Sequence, residues 1–390
     1  MNSVQNFNVF MPTRILFGEG RASEIGAEAA ACGSRAVLVT YEDIRGLEET
    51  IESITGYLEE AGLSVTKYAE VEPDPSVETI DSGAAVTRDS GAEMMVAVGG
   101  GSAIDAAKAI AAVAVNGGSA WDYAACNPDK RTFDSSLPIL AIPTTAGTGS
   151  EVTPVAVLTN KQMKSKGAVI SPANIPSVAI VDPGLMKSMP PGLTAATGAD
   201  AFGHALEAFM STKCTPFVER MAPEAIKLAW ENLPLACKDG SNMLARANMA
   251  WASTIAGIML VQSGATGNHA LAQALGAHLH VPHGLGVAIG TPIFLEYCRA
   301  EASGKYVQLA GELGIAQDTD DENKIADEFI KQVKDFLIGV GIPEDLRDKA
   351  GDIDMDALVE NAMINAPAAI VNTPREVAYK DMEEIISKIL

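Results

Sequence analysis

The five histidines of this 390-residue chain, His204, His269, His278, His280 and His283, all lie between positions 204 and 283, and Asp200 stands four residues before the first of them. In Thr197-Gly198-Ala199-Asp200-Ala201-Phe202-Gly203-His204 the carboxylate and the imidazole are spaced i, i+4, which on a helix puts both on one face, a turn apart. Such a pair can share a metal ion. His269 and His283 could complete a shell of one oxygen and three nitrogens, suited to Fe(II), Zn(II) or a neighbour in the divalent series. Any single histidine here is better explained by helix packing or a surface position. The case rests on the cluster and on its flanking sequence.

Two glycine-rich stretches could hold a phosphate. Val98-Gly99-Gly100-Gly101-Ser102-Ala103-Ile104-Asp105 joins a buried-type strand to an alanine-rich helix, and the free N–H groups at such a helix start suit a pyrophosphate. Ser102 is expected to cap that helix, with Asp105 in a capping-box-like position. The stretch is neither the G-x-G-x-x-G fingerprint, because Ile104 holds the third glycine position, nor a Walker loop, because no Gly-Lys-Ser/Thr follows. Pro143-Thr144-Thr145-Ala146-Gly147-Thr148-Gly149-Ser150-Glu151 ends a second buried-type strand and could hold ribose, adenine or phosphate at the carboxyl edge of the same sheet. Either loop alone could be a structural turn; two in one sheet favour a nucleotide.

The elements that must carry these residues fall into two kinds. Strand-like runs at 36–40, 63–68, 94–98, 137–142, 155–159, 168–171 and 178–182 occupy the first half, several of them alternating with helical sequence such as 47–61, a pattern that predicts a mostly parallel sheet. After Met189-Pro190-Pro191-Gly192-Leu193 nearly every segment has helical period, with 195–211, 223–233, 243–261, 269–278, 327–340 and 380–390 the clearest. The expected fold class is an N-terminal α/β dinucleotide-binding domain at 1–185 with a mostly parallel sheet, followed by an all-helical metal-binding and substrate domain at 186–390. A chain of this length is expected to form two domains.

Composition narrows the function classes. A formal charge of −22 would repel phosphate backbones, so no nucleic-acid partner is expected. Half of that charge lies in 301–390, which carries 20 acidic against 9 basic residues in helical patterns and reads as a solvated face. No uninterrupted apolar run reaches the roughly 18 residues a membrane span needs, the best being 106–115 with Lys108 inside it, and no membrane association is expected. The N-terminus shows no secretory pattern. Five dispersed cysteines without a C-x-x-C pair fit reduced thiols in a cytoplasm.

With these motifs in hand, the chain resembles the iron-containing alcohol dehydrogenases, the metal-dependent group distinct from the zinc-dependent medium-chain and the short-chain enzymes. Four separated motifs carry the resemblance: Gly99-Gly100-Gly101-Ser102 with Asp105 and Lys108; residues 143–152; Val181-Asp182-Pro183 leading to Asp200 and His204; and residues 269–284. The resemblance implies a metal in a cleft between two domains, with Asp200, His204, His269 and His283 as ligands. It implies Fe(II), with Zn(II), Mn(II), Co(II) or Ni(II) able to occupy the same ligands. It places Gly100, Gly101 and Ser102 at the pyrophosphate, Thr144, Thr145 and Thr148 against the cofactor, and Lys166 at the ribose. Asp74, before Pro75, stands where the family has an asparagine near the adenosine. A homodimer is expected by the same resemblance.

Three departures matter. A histidine one turn after the first of the paired ligands, often given a role in proton relay, is Gln273, which cannot titrate; His278, His280 or water would have to serve. An aromatic of the substrate pocket is Leu260, with Gln262 beside it, which implies a wider, amide-lined pocket and an alcohol or aldehyde with a polar tail. The aspartate that selects NAD is Tyr41, followed by Glu42 and Asp43, whose charge would repel a 2′-phosphate, so NAD is expected ahead of NADP.

The expected reaction is hydride transfer between nicotinamide and the carbon bearing the oxygen of a small alcohol or aldehyde, with the metal as Lewis acid. Alternatives are a relative resembling maleylacetate reductase or glycerol dehydrogenase, a lyase-type cousin resembling dehydroquinate synthase, and a metal- or nucleotide-binding sensor without catalysis.

Overall fold

The computed structural model describes residues 6–43, 46–315, 320–351 and 353–390. Among these, six strands form one parallel sheet: β1 (Arg14–Phe17), β2 (Arg35–Tyr41), β3 (Ser64–Val71), β4 (Met94–Gly99), β5 (Ile139–Pro143) and, after a separate pair, β8 (Val178–Val181). The pair, β6 (Val155–Asn160) and β7 (Ser165–Ile170), is an antiparallel hairpin outside that sheet. The strand-like runs 155–159 and 168–171 make up this hairpin; β6 is buried at alternate positions, as suits an antiparallel pair, whereas β4, β5 and β8 are buried throughout.

The sheet order is β1-β8-β5-β4-β2-β3. From β2 the chain moves outward to β3 and then crosses to the other side of β2 for β4, so the order reverses between β2 and β4. Open α/β sheets bind ligands at the carboxyl ends of strands at such a point. Helices α1 (Ile25–Ala30), α2 (Glu48–Glu60), α3 (Val77–Asp89) and α4 (Gly101–Asn116) cover the two faces. The two-residue period of the strands sorts the core. Val37, Val39, Met95 and Ala97 pack toward α3 and α4, whereas Ala36, Leu38, Met94 and Val96 pack toward α1 and α2. Nearly every alanine of α4 is fully buried, which lets this helix lie close on the sheet and sets its N-terminus against the end of β4.

Beyond this unit the chain is helical: α5 (Pro191–Met210), α6 (Pro216–Lys238), α7 (Met243–Ser263), α8 (Gly267–Leu279), α9 (His283–Tyr297), α10 (Arg299–Glu312), α11 (Glu322–Gly339), α12 (Met355–Asn365), α13 (Pro367–Asn372) and α14 (Tyr379–Ser387). The compact units part between Met189 and Pro190, and the described residues up to Phe10 group with the helical unit. One helix, α7, is long and apolar enough by length and composition to cross a membrane, and 67% of that window is buried. It is not an uninterrupted apolar run, since Arg246, Asn248, Ser253 and Thr254 break it; the Arg246 side chain is itself buried and donates to Thr194 Oγ1 at 2.8 Å.

Candidate active site

Helix α5 carries Asp200 and His204 on one buried face, α8 carries His269 and the first residue of α9 is His283. One ligand atom from each of the four lies within 4.8 Å of the others. Asp200 Oδ1 is 3.9 Å from His204 Nε2 and 3.9 Å from His283 Nε2. The rings of His204 and His269 stack with centroids 4.6 Å apart, and His283 meets His269 edge-on at 5.1 Å. Helix α9 can approach because Gly284 has no side chain: a Cβ there would sit 2.4 Å from the Ala196 carbonyl oxygen on α5.

Two atoms of this cluster indicate what it suits. Asp200 Oδ1 and His269 Nε2 are fully buried and have no hydrogen-bond partner, an arrangement that costs several kcal/mol unless something charged or polar answers them. A tetrahedral ion with bonds of about 2.1 Å separates its ligand atoms by about 3.4 Å, shorter than the 3.9 Å from Asp200 Oδ1 to His204 and to His283 and than the 4.8 Å that bounds all four, so the side chains must draw in on an ion. The residues present therefore fit a divalent metal, and the donor set of one oxygen and three nitrogens contains no sulfur.

Behind the cluster stands Glu207, a residue the reading of ligand types overlooked. Its Oε1 lies 2.7 Å from His269 Nδ1 and accepts from Asn268 Nδ2 at 3.1 Å, while Oε2 accepts from Thr266 N and from Thr266 Oγ1, both at 2.7 Å. Burial opposes ionisation of this carboxyl, but His269 and the Thr266 donors outweigh it and hold the carboxyl below its ordinary range. The available signal was spacing: Asp200, His204 and Glu207 fall at i, i+4 and i+7, one helix face. Gln273 lies one turn beyond His269 on α8, partly buried. His280 is the exposed C-cap of α8 in left-handed conformation, with φ 53°, and neither it nor His278 joins the four-residue cluster.

In the sheet unit the two phosphate-type loops face each other. A Cβ on Gly100 would come 2.8 Å from Thr145 Oγ1, and one on Gly101 would come 2.6 Å from Thr148 Cγ2, so glycine is required where the loops meet. The N-cap of α4 is Gly100 and the helix start has no side-chain cap. Ser102 is a helical residue whose Oγ accepts from Asp74 N at 3.2 Å, which corrects the expected capping box. Asp105 points into the interior: it accepts from Ser150 Oγ and from Val157 N and lies 3.6 Å from Lys108 Nζ. It holds the second loop against α4 and does not present its carboxylate to a cofactor.

Lys108 is fully buried and donates to Ser150 Oγ, Thr153 Oγ1 and Val155 O at 2.6, 3.2 and 2.8 Å. Burial pulls its pKa down to about 8, with Asp105 and Glu151 opposing. Tyr41, at the end of β2, accepts from Gly100 N at 2.9 Å through its hydroxyl, and burial raises that hydroxyl's pKa to about 12. Asp74 (φ 55°) forms a 2.8 Å ion pair with the buried Lys166 of β7, so these two residues meet each other. Thr144, buried directly after β5, donates its N–H to Gly99 O at 2.9 Å. Gln262 spends its amide on the backbone of Phe10, accepting from its N–H at 3.1 Å and donating to its carbonyl at 3.0 Å. That removes it from the expected amide-lined pocket.

Comparisons with known proteins agree with this arrangement. Residues 12–183 match the family described as iron-containing alcohol dehydrogenase, and residues 194–390 match the C-terminal part of the Fe-containing alcohol dehydrogenase family. The chain is 35% identical to a 1,3-propanediol dehydrogenase of Citrobacter freundii, covering 98% of each chain. It is 32% identical to an NAD-dependent methanol dehydrogenase of Bacillus methanolicus, over 98% of this chain and all of the relative. An archaeal halo-thermophilic alcohol dehydrogenase from a Red Sea brine pool, solved by crystallography, superposes with a TM-score of 0.94 at 32% identity, covering 100% of both chains.

Proposed function

Because the chain belongs to the iron-containing alcohol dehydrogenase family, which uses iron and NAD, and is a metal-dependent alcohol dehydrogenase or aldehyde reductase acting on CH–OH groups, we propose that Asp200, His204, His269 and His283 hold its metal. The observation that carries this assignment is the pair of buried atoms without partners, Asp200 Oδ1 and His269 Nε2, within a cluster of four donor residues. Fe(II) is the family's metal, and the same donors suit Zn(II), Mn(II), Co(II) and Ni(II). A metal held there supplies Lewis acidity toward an alcohol or carbonyl oxygen, and NAD supplies the hydride acceptor.

The chain's own residues then orient and exclude. Asp200 and His204 share one face of a helix, so their separation is set by the backbone and does not depend on a loop. The glycines of Gly100 and Gly101 allow a pyrophosphate to approach the N-terminus of α4, where backbone N–H groups favour an anion. For Gly100 N to take part, the Tyr41 hydroxyl must yield it. Thr144, Thr145 and Thr148 contribute hydroxyls beside that loop, and Lys166 reaches a ribose by sharing its ammonium with Asp74. Exposed Glu42 and Asp43 disfavour a 2′-phosphate and support NAD over NADP. Gln273 holds no titratable proton, so the alcohol proton leaves through water, His278 or His280.

A small alcohol or aldehyde is the substrate class. The five free cysteines support a cytoplasmic location, and the exposed apolar residues Phe7, Val9, Phe10 and Met11 support a homodimer. The test is NADH and NADPH oxidation by the Fe(II)-loaded protein against a panel of short aldehydes, hydroxyaldehydes and anionic aldehydes. Turnover with NADH is expected for at least one short aldehyde; none with any of them would sink the proposal.

A further inference from the structure

Four hydrogen-bond donors converge on the single carboxylate of Glu207, and each comes from the segment that delivers His269. Thr266 gives both its N–H and its hydroxyl, Asn268 gives its amide and His269 presents Nδ1. Thr266 is the N-cap residue of α8; its side chain makes no capping bond, and its hydroxyl donates to Glu207 instead. The carboxylate thus stands at the N-terminus of α8, where negative charge is favoured. Asn268 also donates to Val287 O at 3.0 Å and Thr291 Oγ1 at 3.2 Å, both on α9, the helix that begins with His283. One buried residue of α5 is therefore tied to both other helices that supply the cluster.

The chemistry of the His269 contact is directional. Both oxygens of Glu207 already accept, Oε2 from the Thr266 N–H and hydroxyl and Oε1 from the Asn268 amide, so the His269 contact adds a fourth donor: Nδ1 carries the hydrogen, and a neutral ring then leaves Nε2 bare. Nε2 is the buried atom without a partner in the cluster. We propose that Glu207 is the positioning residue of the metal site: it locks His269 in the Nδ1–H tautomer, aims Nε2 at the ion and sets the site's affinity. This rests on the metal assignment above. Partners of this kind are worth 10- to 100-fold in metal affinity where they have been removed from other proteins.

Glutamine at 207 keeps the size but loses the second acceptor. Its amide must face either the Thr266 N–H, donor against donor, or the His269 ring, where it would favour the wrong tautomer. The experiment titrates metal-free wild type and Glu207→Gln with Co(II) under chelator competition, following the visible d–d bands. In parallel, the nitrogen chemical shifts of His269 are measured in histidine-labelled apo protein above its titration range, where five histidines give a sparse spectrum. The expected result is a 10- to 100-fold weaker Co(II) affinity in Glu207→Gln, altered d–d bands, and an Nδ1–H signal for His269 in wild type. Equal affinity and identical bands in the variant would overturn the proposal. So would an Nε2–H signal in the wild-type apo protein, a readout that stands even where the variant folds poorly. Failure of wild type itself to bind Co(II) would count instead against the metal assignment.

Discussion

Gly284→Ala tests how closely the helices are fitted around the cluster. The new Cβ would lie 2.4 Å from the Ala196 carbonyl oxygen and 3.1 Å from Asp200 Cβ. An ordinary carbon–oxygen contact is about 3.3 Å, so the deficit is about 0.9 Å. The oxygen belongs to the backbone of α5 and the Cβ is fixed to the backbone of α9, so no rotamer change relieves the clash. The first turn of α9 must move away from α5, and His283 is the first residue of that turn. Metal ligand distances tolerate about 0.2 Å, several times less than the shift required. Folding stability should fall by roughly 1–3 kcal/mol, the usual cost of overpacking. Metal affinity should fall at least tenfold and kcat/KM by about 100-fold, as expected of a displacement near 1 Å. Urea unfolding of the apo protein and Co(II) titration of the same preparation measure the two effects separately. Unchanged stability with affinity within twofold of wild type would refute the close-approach argument.

Two further predictions concern the sheet unit. Tyr41→Phe removes the hydroxyl that occupies Gly100 N, and because a pyrophosphate no longer has to displace it, the Kd for NAD should fall by up to about fivefold, near the ~1 kcal/mol of one hydrogen bond; weaker binding in calorimetry would show instead that the hydroxyl contacts the cofactor. Lys108 has a folded pKa depressed by burial from 10.5 to about 8, so between those values the unfolded chain binds more protons and its contribution to stability rises with pH, by roughly 3 kcal/mol across the window. Urea unfolding of wild type and Lys108→Met at pH 8 and pH 10.5 measures it, and a wild type that loses stability relative to the variant over that interval would contradict the assignment.

The parts of the site written into one local segment were legible. Asp200 and His204 are one turn apart on any helix, and the glycine loop after Met94–Gly99 follows from a buried strand running into small residues. What escaped depended on partners far away in sequence. Glu207 takes its meaning from Thr266 and His269, 59 and 62 residues on. Gln262 looked like a pocket amide until its partner proved to be Phe10, 252 positions away. Asp105 and Lys108 sit where helical spacing gives a capping box and a stray charge, but packing turns both inward onto Ser150. Helix α9 was not read as a helix because His283-Gly284-Leu285-Gly286 is poor in helix formers and Pro292 interrupts it; packing against α5 and α8 overrides those propensities. The hairpin of β6 and β7 did carry a signal: β6 is buried at alternate positions, whereas β4, β5 and β8 of the parallel sheet are buried throughout.

The central claim is that Asp200, His204, His269 and His283 together make the metal site on which alcohol dehydrogenase activity depends. Its most direct test adds Fe(II) anaerobically to metal-free protein and follows NADH oxidation with an aldehyde turned over by the loaded enzyme. Wild type should rise from baseline to a break at one ion per chain, and His283→Ala should stay at baseline throughout. Full activity in the metal-free wild type, or equal activation of His283→Ala, would contradict the account.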